Sequence, residues 1–135
     1  MSRANRKRNP GDLQHHILRV LWQQGEATVA EVHRVVAPER HLALTTIATM
    51  LRKMETRELV RHRSAGRQFV YRAAVEEGEV QRNMVTDVVE RVFAGNASAM
   101  VNHLLREGDF DPHDLQELRG MIAARERQLE SDDDE

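Results

Sequence analysis

One stretch of the sequence combines hydroxyl and cationic side chains at helical spacing with very few acids. In residues 44–57 the apolar residues Ile47, Met50, Leu51 and Met54 recur every three or four positions, which predicts an amphipathic helix. A helix exposed only for solubility usually mixes Glu with Lys. The polar face of this one has a single acid, Glu55, nearby and otherwise carries Thr45, Thr46, Thr49, Arg52, Lys53 and Thr56.

These side-chain types suit contact with a nucleic-acid duplex. A helix fits the major groove of B-DNA, where hydroxyls donate or accept hydrogen bonds, a threonine methyl meets a thymine methyl, and arginine pairs with a guanine edge. We therefore predict that the polar face reads bases, with Lys53 anchoring it on phosphate. The predicted base-reading residues are Thr45, Thr46, Thr49 and Arg52.

A basic hairpin follows this helix in the sequence. Residues 59–63 and 68–72 are rich in β-branched and aromatic types and flank a turn that contains Gly66, which predicts two antiparallel strands. Arg61, Arg63 and Arg67 surround the turn, where we expect them to contact phosphate or enter the minor groove. Phosphate contacts supply affinity and register but carry no sequence information.

Two earlier helices must position these residues. Apolar residues recur from Leu13 onward, with Asp12 predicted as N-cap and Gly25 as the stop. Thr28 and Glu31 have capping-box spacing and predict the start of the second helix, which Pro38 is expected to end. Three helices and then a basic hairpin is the order of a winged helix-turn-helix, so we predict a mainly α (α+β) fold with a small β-hairpin wing.

The remaining sequence predicts three more helices with apolar stripes, ending near Gly95 and Gly108, with Asp111-Pro112 opening the last. They have too little apolar surface to fold alone, which favours burial against a second copy of the chain. We predict a flexible basic arm (1–10), a winged-helix domain (11–75), a helical dimerisation region (76–130) and an acidic tail (131–135). The predicted dimer residues are Val88, Val92, Met100, Val101, Leu104, Leu105, Leu115 and Leu118.

Charge divides the chain in the same way. Residues 1–75 contain 14 Lys and Arg against 6 Asp and Glu, whereas residues 76–135 contain 6 against 16. Such asymmetry points to a polyanionic partner for the basic part. The absence of cysteine, of a secretory signal and of a membrane-length apolar run predicts a cytoplasmic protein without membrane insertion, and we predict no cofactor and no metal.

The ordered motifs resemble those of the penicillinase repressor family (BlaI, MecI and CopY) over roughly residues 11–125. The resemblance implies an N-terminal winged helix, a C-terminal helical dimerisation region, and repression through a pseudo-palindromic promoter operator. The matching segments are Gly11-Asp12-Leu13, Val20-Leu21-Trp22, Thr28-Val29-Ala30-Glu31-Val32, residues 46–54 (TIATMLRKM), residues 66–71 (GRQFVY), Phe93-Ala94-Gly95-Asn96 and Leu115-Gln116-Glu117-Leu118.

Three departures from the family pattern bear on regulation and docking. Members that respond to β-lactams are cut in the dimerisation region, typically at an Asn-Phe bond, and Asn102-His103 stands at that position here. Copper-responsive members carry paired cysteines, which this chain lacks. Leu42 stands where a tryptophan often precedes the recognition helix. A sensor protease or another inducer remains open as the agent that releases DNA.

Two other function classes are weighed against a DNA-binding repressor. The sequence contains no Gly-rich phosphate loop, no cysteine and no recognisable catalytic triad context, so we predict that it is not an enzyme. Adjacent helical residues diverge by about 100°, so His15 and His16 are poorly placed to share a metal ion. The alternative function is a helical module that binds an acidic protein or RNA without operator specificity.

Overall fold

The computed structural model describes residues 9–133 of the chain, and the predicted basic arm therefore lies almost entirely outside the described residues. The chain divides into two compact units, one ending at Val92 and the other beginning at Phe93. The predicted division of roles between residues 11–75 and 76–130 is a functional one, and it stays a prediction.

The first unit contains four helices and three short strands in its described part. Its three leading helices and its β-hairpin fall where the apolar spacing predicts them. The elements are α1 (Asp12–Gln24), β1 (Ala27–Thr28), α2 (Val29–Arg40), α3 (Leu44–Thr56), β2 (Val60–Ala65), β3 (Gln68–Ala73) and α4 (Glu77–Val92).

Local hydrogen bonds explain where α1 and α2 begin and end. The Thr28 hydroxyl accepts from the Glu31 backbone N–H at 3.2 Å, and the Glu31 carboxylate accepts from the Thr28 N–H at 3.1 Å, which confirms the predicted capping box. Gly11, not Asp12, is the N-cap of α1, so Asp12 is the first helical residue. Pro38 does not end α2, because it lies in the last turn and the helix continues to Arg40.

The wing belongs to a three-stranded antiparallel sheet with the order β1-β3-β2. β1, which the sequence analysis missed, pairs Ala27 with Tyr71 and Thr28 with Val70. β2 and β3 form the predicted hairpin, in which Ala65 and Gln68 close a two-residue turn. Gly66 occupies the first turn position with a φ of 64°, a conformation that favours glycine and is typical of such hairpins.

The core of the first unit lies between its helices and one face of the sheet. α3 contributes three fully buried side chains, and these are three of the four predicted for its apolar face; Met50 is only partly buried. The Trp22 indole N–H donates to the Val75 carbonyl at 2.9 Å, which fastens α1 to the segment after the wing. The largest fully buried side chains are Ile17, Leu18, Leu21, Val32, Val36, Ile47, Leu51, Met54, Leu59, Val60 and Tyr71.

The second unit consists of α5 (Ala97–Glu107) and α6 (Pro112–Asp133). The Asp111 carboxylate accepts from the Asp114 N–H at 2.8 Å, which confirms the predicted N-cap of the last helix. Neither helix has a buried residue. The first three residues of the predicted acidic tail belong to the last helix, because α6 continues to Asp133.

Candidate nucleic-acid interface

All six polar side chains of the α3 face are exposed, as the sequence predicts. At 3.6 residues per turn they fall within an arc of about 120°, opposite the buried Ile47, Leu51 and Met54. Thr45, Thr46, Thr49, Met50 and Lys53 line one shallow depression on the helix surface. The core therefore holds α3 by one side and presents its hydroxyls and cations on the other.

Arg52 is ordered along this face by its neighbours. Its guanidinium donates to the Thr49 hydroxyl at 3.2 Å, and the Thr56 hydroxyl donates to the Arg52 backbone carbonyl at 3.2 Å. The first bond places a hydroxyl and a cation side by side, an arrangement that suits a base edge or a phosphate oxygen. This bond holds two of the predicted base-reading residues, Thr49 and Arg52, next to each other on α3.

The one acid of α3 is turned toward the wing. The Glu55 carboxylate accepts from the His62 ring Nδ1–H at 2.7 Å and from the His62 backbone N–H at 3.1 Å. The His62 ring in turn stacks on Phe69 with centroids 4.1 Å apart. Glu55 therefore ties the end of α3 to strand β2, and the exposed face of the helix carries no carboxylate.

The turn between α2 and α3 fixes the angle at which α3 is presented. His41 ends α2 in the left-handed region with a φ of 52°, and its N–H donates to the Ala37 carbonyl. The His33 ring nitrogen Nε2 donates to the Leu42 carbonyl at 2.8 Å. Leu42, at the position where the family resemblance leads us to expect tryptophan, is partly buried against the core.

The three predicted wing arginines are all exposed, but they differ in their partners. Arg67 lies in the turn itself and, with Phe69 and Leu44, lines a groove beside the start of α3. Arg63 forms a two-pronged ion pair with Glu26, with its Nη2 at 2.7 Å and its Nε at 3.2 Å from the two carboxylate oxygens. This hydrogen-bonded pair lowers the pKa of Glu26 and raises that of Arg63.

Sequence reasoning missed Glu26, His62 and Arg72 as parts of this surface. Glu26 and Arg63 are 37 residues apart, and their contact depends on the pairing of β1 with β3. An isolated glutamate after Gly25 offered no local pattern from which that contact could be predicted. The spacing of Glu55 and His62, seven residues, was a weak clue because a helix end and a strand lie between them.

The start of the described chain is fastened to the end of α3. The Arg57 guanidinium donates to the Asn9 backbone carbonyl at 2.9 Å and also to the Gln14 side-chain oxygen. The Gln14 amide donates in turn to the Met50 sulfur at 3.3 Å. The start of α1 and the end of α3 are thereby held together by one arginine.

The predicted dimer residues lie on exposed or half-buried helix faces. Six of them are exposed, whereas Met100 and Leu118 are half-buried. Asn102 and His103, which stand where the resemblance places the cleaved bond of β-lactam-responsive members, are exposed but lie inside α5 rather than in a loop. Within residues 9–133 no group of three or more His, Asp or Glu side chains is placed to hold a metal ion. No helix in that range is long and apolar enough to cross a membrane.

The topology defines the class of protein. A helix-turn-helix whose second helix is exposed, followed by a hairpin in a sheet of order β1-β3-β2, is a winged helix-turn-helix, in which the second helix of the motif is the one placed for the major groove. The chain belongs to the penicillinase repressor family, whose profile matches residues 10–124. Members of that family are transcriptional regulators, so the chain is a DNA-binding repressor by class.

Individual relatives are distant in sequence. The transcriptional regulator BlaI of Mycobacterium tuberculosis (strain ATCC 25618 / H37Rv) is 27% identical over 118 residues, which cover 86% of this chain and 84% of that protein. A 16.5 kDa protein from the ptsI 3' region of Latilactobacillus sakei is 20% identical over 109 residues, covering 81% and 75%.

Two solved structures are similar to parts of the chain. The DNA-binding domain of the repressor BlaI is 24% identical, with a TM-score of 0.47, over 52% of this chain and 85% of that one. A homodimeric winged helix-turn-helix DNA-binding domain from Mycobacterium bovis is 22% identical, with a TM-score of 0.49, over 80% and 85% of the two chains.

Proposed function

We propose that the chain is a sequence-specific repressor that occupies a pseudo-palindromic promoter operator as a homodimer. The observation that carries this proposal is the exposed face of α3, which presents hydroxyls and cations while its only acid is engaged with His62. A duplex is the partner for which such a face is suited, because base edges need short polar side chains and phosphates need cations.

The roles of the individual residues follow from their positions. Thr45, Thr46, Thr49 and Arg52 read base edges in the major groove, since they share the exposed arc of α3. Lys53 binds phosphate at the edge of that arc, and Arg67 at the wing turn contacts the backbone or the minor groove beside it. Arg61 and Arg63 supply further phosphate contacts from β2.

The homodimer is supported by the apolar surface of the C-terminal helices. On α6 the residues Leu115, Leu118, Ile122 and Leu129 are spaced by three, four and seven positions, the pattern of a coiled-coil seam. Ile122 is 59% exposed and its neighbour Met121 is 63% exposed. Large aliphatic side chains on a helix with no buried residue are stabilised when a second copy covers them.

A two-fold dimer has a geometric consequence for the operator. Its two α3 helices would read inverted half-sites whose centres are about one helical turn of DNA, or a multiple of it, apart. In this arrangement residues 11–75 hold the DNA and residues 76–130 hold the partner copy. An inducer, either a sensor protease or a ligand, would release the operator by weakening the pairing.

The experiment begins with selection of bound duplexes from a random 40-base-pair library, followed by binding titrations on the enriched duplex and on a scrambled duplex of the same length. Thr49→Ala should reduce discrimination between the two by roughly 1–3 kcal/mol, because a base contact is lost. Arg67→Ala should weaken binding to both duplexes by similar factors, because phosphate contacts are independent of sequence.

Thr28→Ser is a matched control, since it keeps the cap hydroxyl and lies outside the α3 face. Equal losses on enriched and scrambled duplexes for every α3 substitution would remove the base-reading assignment. Failure to enrich any duplex, together with binding to single-stranded or structured RNA, would instead favour the interaction-module alternative.

A further inference from the structure

The outer face of the sheet carries three arginines and one glutamate. Side chains of a strand alternate between the two faces of a sheet, and Tyr71 is buried on the inner face. Val70 and Arg72 flank Tyr71 in the chain, so they lie on the outer face. The residues that pair with them across the sheet lie on the same outer face. By this rule the outer face presents Arg61 and Arg63 of β2, Arg72 of β3, and Glu26 directly before β1.

Two of these arginines are directly opposed. Arg61 pairs with Arg72 in the antiparallel register of β2 and β3. Opposed side chains have Cβ atoms about 4.5–5.5 Å apart, and like charges in that arrangement repel. Within the described residues neither Arg61 nor Arg72 forms an ion pair within 4.0 Å. An anion placed between the two guanidinium groups would convert this repulsion into attraction.

The third arginine is held away from the edge of the wing. Glu26 precedes β1 and Arg63 lies on β2, with β3 between them, so the two side chains together bridge the central strand, a distance of about 10 Å between the outer strands. Val70, directly opposite Arg63, is only 9% exposed, as expected where an arginine stem covers it. The Glu26 carboxylate thus pairs with the Arg63 guanidinium, which a phosphate would otherwise bind.

We propose that this outer face is a second phosphate-binding surface for the DNA backbone, formed by Arg61, Arg63 and Arg72, and that Glu26 limits its strength by competing for Arg63. The proposal rests on the proposed function, because it assumes that a duplex is held by α3 and the wing. It adds Arg72 as a contact and assigns Glu26 a restraining role.

The competition is one of charge and does not depend on protonation near neutral pH. Hydrogen bonding to Arg63 lowers the pKa of Glu26, and Glu26 raises the pKa of Arg63. Both groups therefore remain ionised at neutral pH. A phosphate that binds Arg63 replaces a carboxylate on the same guanidinium, so Arg63 adds less to affinity than a free arginine would.

The test measures affinity against salt concentration, on the enriched duplex and on its scrambled counterpart. Glu26→Gln should tighten binding to both by about 1.4- to fivefold, the range expected from releasing an exposed ion pair. Arg72→Ala should lower the slope of log affinity against log salt by about 0.9, the value for one phosphate contact. Arg72→Lys should keep the slope, since it keeps the charge.

Matched variants separate this surface from a general effect of net charge. Glu39→Gln makes the same charge change at an exposed position near the end of α2, and Arg19→Ala removes an exposed arginine from α1. Both should leave the affinity and the slope close to those of the wild type. In an Arg63→Ala background, most of the gain from Glu26→Gln should disappear, because the residue that it restrains is gone.

The outcomes distinguish the two proposals. If the wild type discriminates the enriched duplex while Arg72→Ala keeps the full salt slope, or while Glu26→Gln behaves like Glu39→Gln, the outer-face surface is refuted and the repressor proposal stands. If the wild type binds no duplex, the proposed function fails and the outer-face surface fails with it. Circular dichroism of each variant confirms that a loss of binding is not a loss of fold.

Discussion

Replacing Ile122 by serine should weaken the dimer strongly while leaving the winged helix folded. Full burial of an isoleucine contributes about 1.5–3 kcal/mol, and Ile122 is 59% exposed in the single chain. Covering that exposed fraction is therefore worth about 0.9–1.8 kcal/mol per protomer. A symmetric dimer contains the residue twice, so its Kd should rise by about 20- to 400-fold.

Sedimentation velocity over a range of concentrations measures this change directly, and operator titration shows whether DNA affinity falls with it. Ala124→Ser is the matched control, because it introduces the same residue on the opposite, exposed side of α6. Isoleucine and serine have similar helix propensities, whereas Ala124→Ser lowers the helix propensity, so a weaker dimer of Ile122→Ser than of the control does not result from helix propensity. An Ile122→Ser chain that dimerises as tightly as the Ala124→Ser chain would refute the assignment of the α6 seam to the interface.

Three further predictions concern the first unit. Leu51→Ala should lower the free energy of unfolding by about 2–5 kcal/mol, because the Leu51 side chain of α3 is fully buried and its removal leaves a cavity. Urea denaturation measures this loss, and a value under 1 kcal/mol would contradict the packing. Gly66→Ala should lower the free energy of unfolding by about 1–2 kcal/mol, because a Cβ is disfavoured at a φ of 64°. An unchanged denaturation midpoint would contradict this conformational cost. Hydrogen bonds from the Thr28 backbone N–H and then from its side chain lower the pKa of Glu31 from 4.5, so their stabilisation is present above pH 4.5 and is lost as the pH falls through the lowered pKa. Carboxyl NMR titration of Thr28→Ala should show this pKa rising only part of the way back, because the backbone N–H still donates to Glu31. Loss of the cap hydroxyl should also cost about 1 kcal/mol of stability at neutral pH.

Local patterns predict the helices and the hairpin because their causes are local. The apolar spacing of Ile47, Leu51 and Met54 predicts both the helix α3 and the side of it that is buried. The opposite side, which carries the threonines and cations, is therefore predicted to be exposed. The Thr28–Glu31 capping box defines the start of α2 through bonds between residues three apart. These features depend on neighbours in the chain, which the sequence displays directly.

The parts that could not be predicted depend on distant residues. β1 has two residues, too few to show an alternating pattern, and it exists because β3 offers an edge to pair with. The Glu26–Arg63 contact follows from that pairing and changes what an exposed arginine is available to do. Pro38 illustrates a different difficulty, since a proline usually ends a helix yet is accommodated here two residues before the end of α2.

The contact between Glu55 and His62 also bears on the operator binding proposed above. Because the Glu55 carboxylate accepts hydrogen bonds from both the ring and the backbone of His62, it fixes the end of α3 relative to strand β2. The distance between α3 and the hairpin is then fixed, so a duplex that contacts both has to match that distance. Sequences whose groove width already fits should be preferred even at base pairs that no side chain touches.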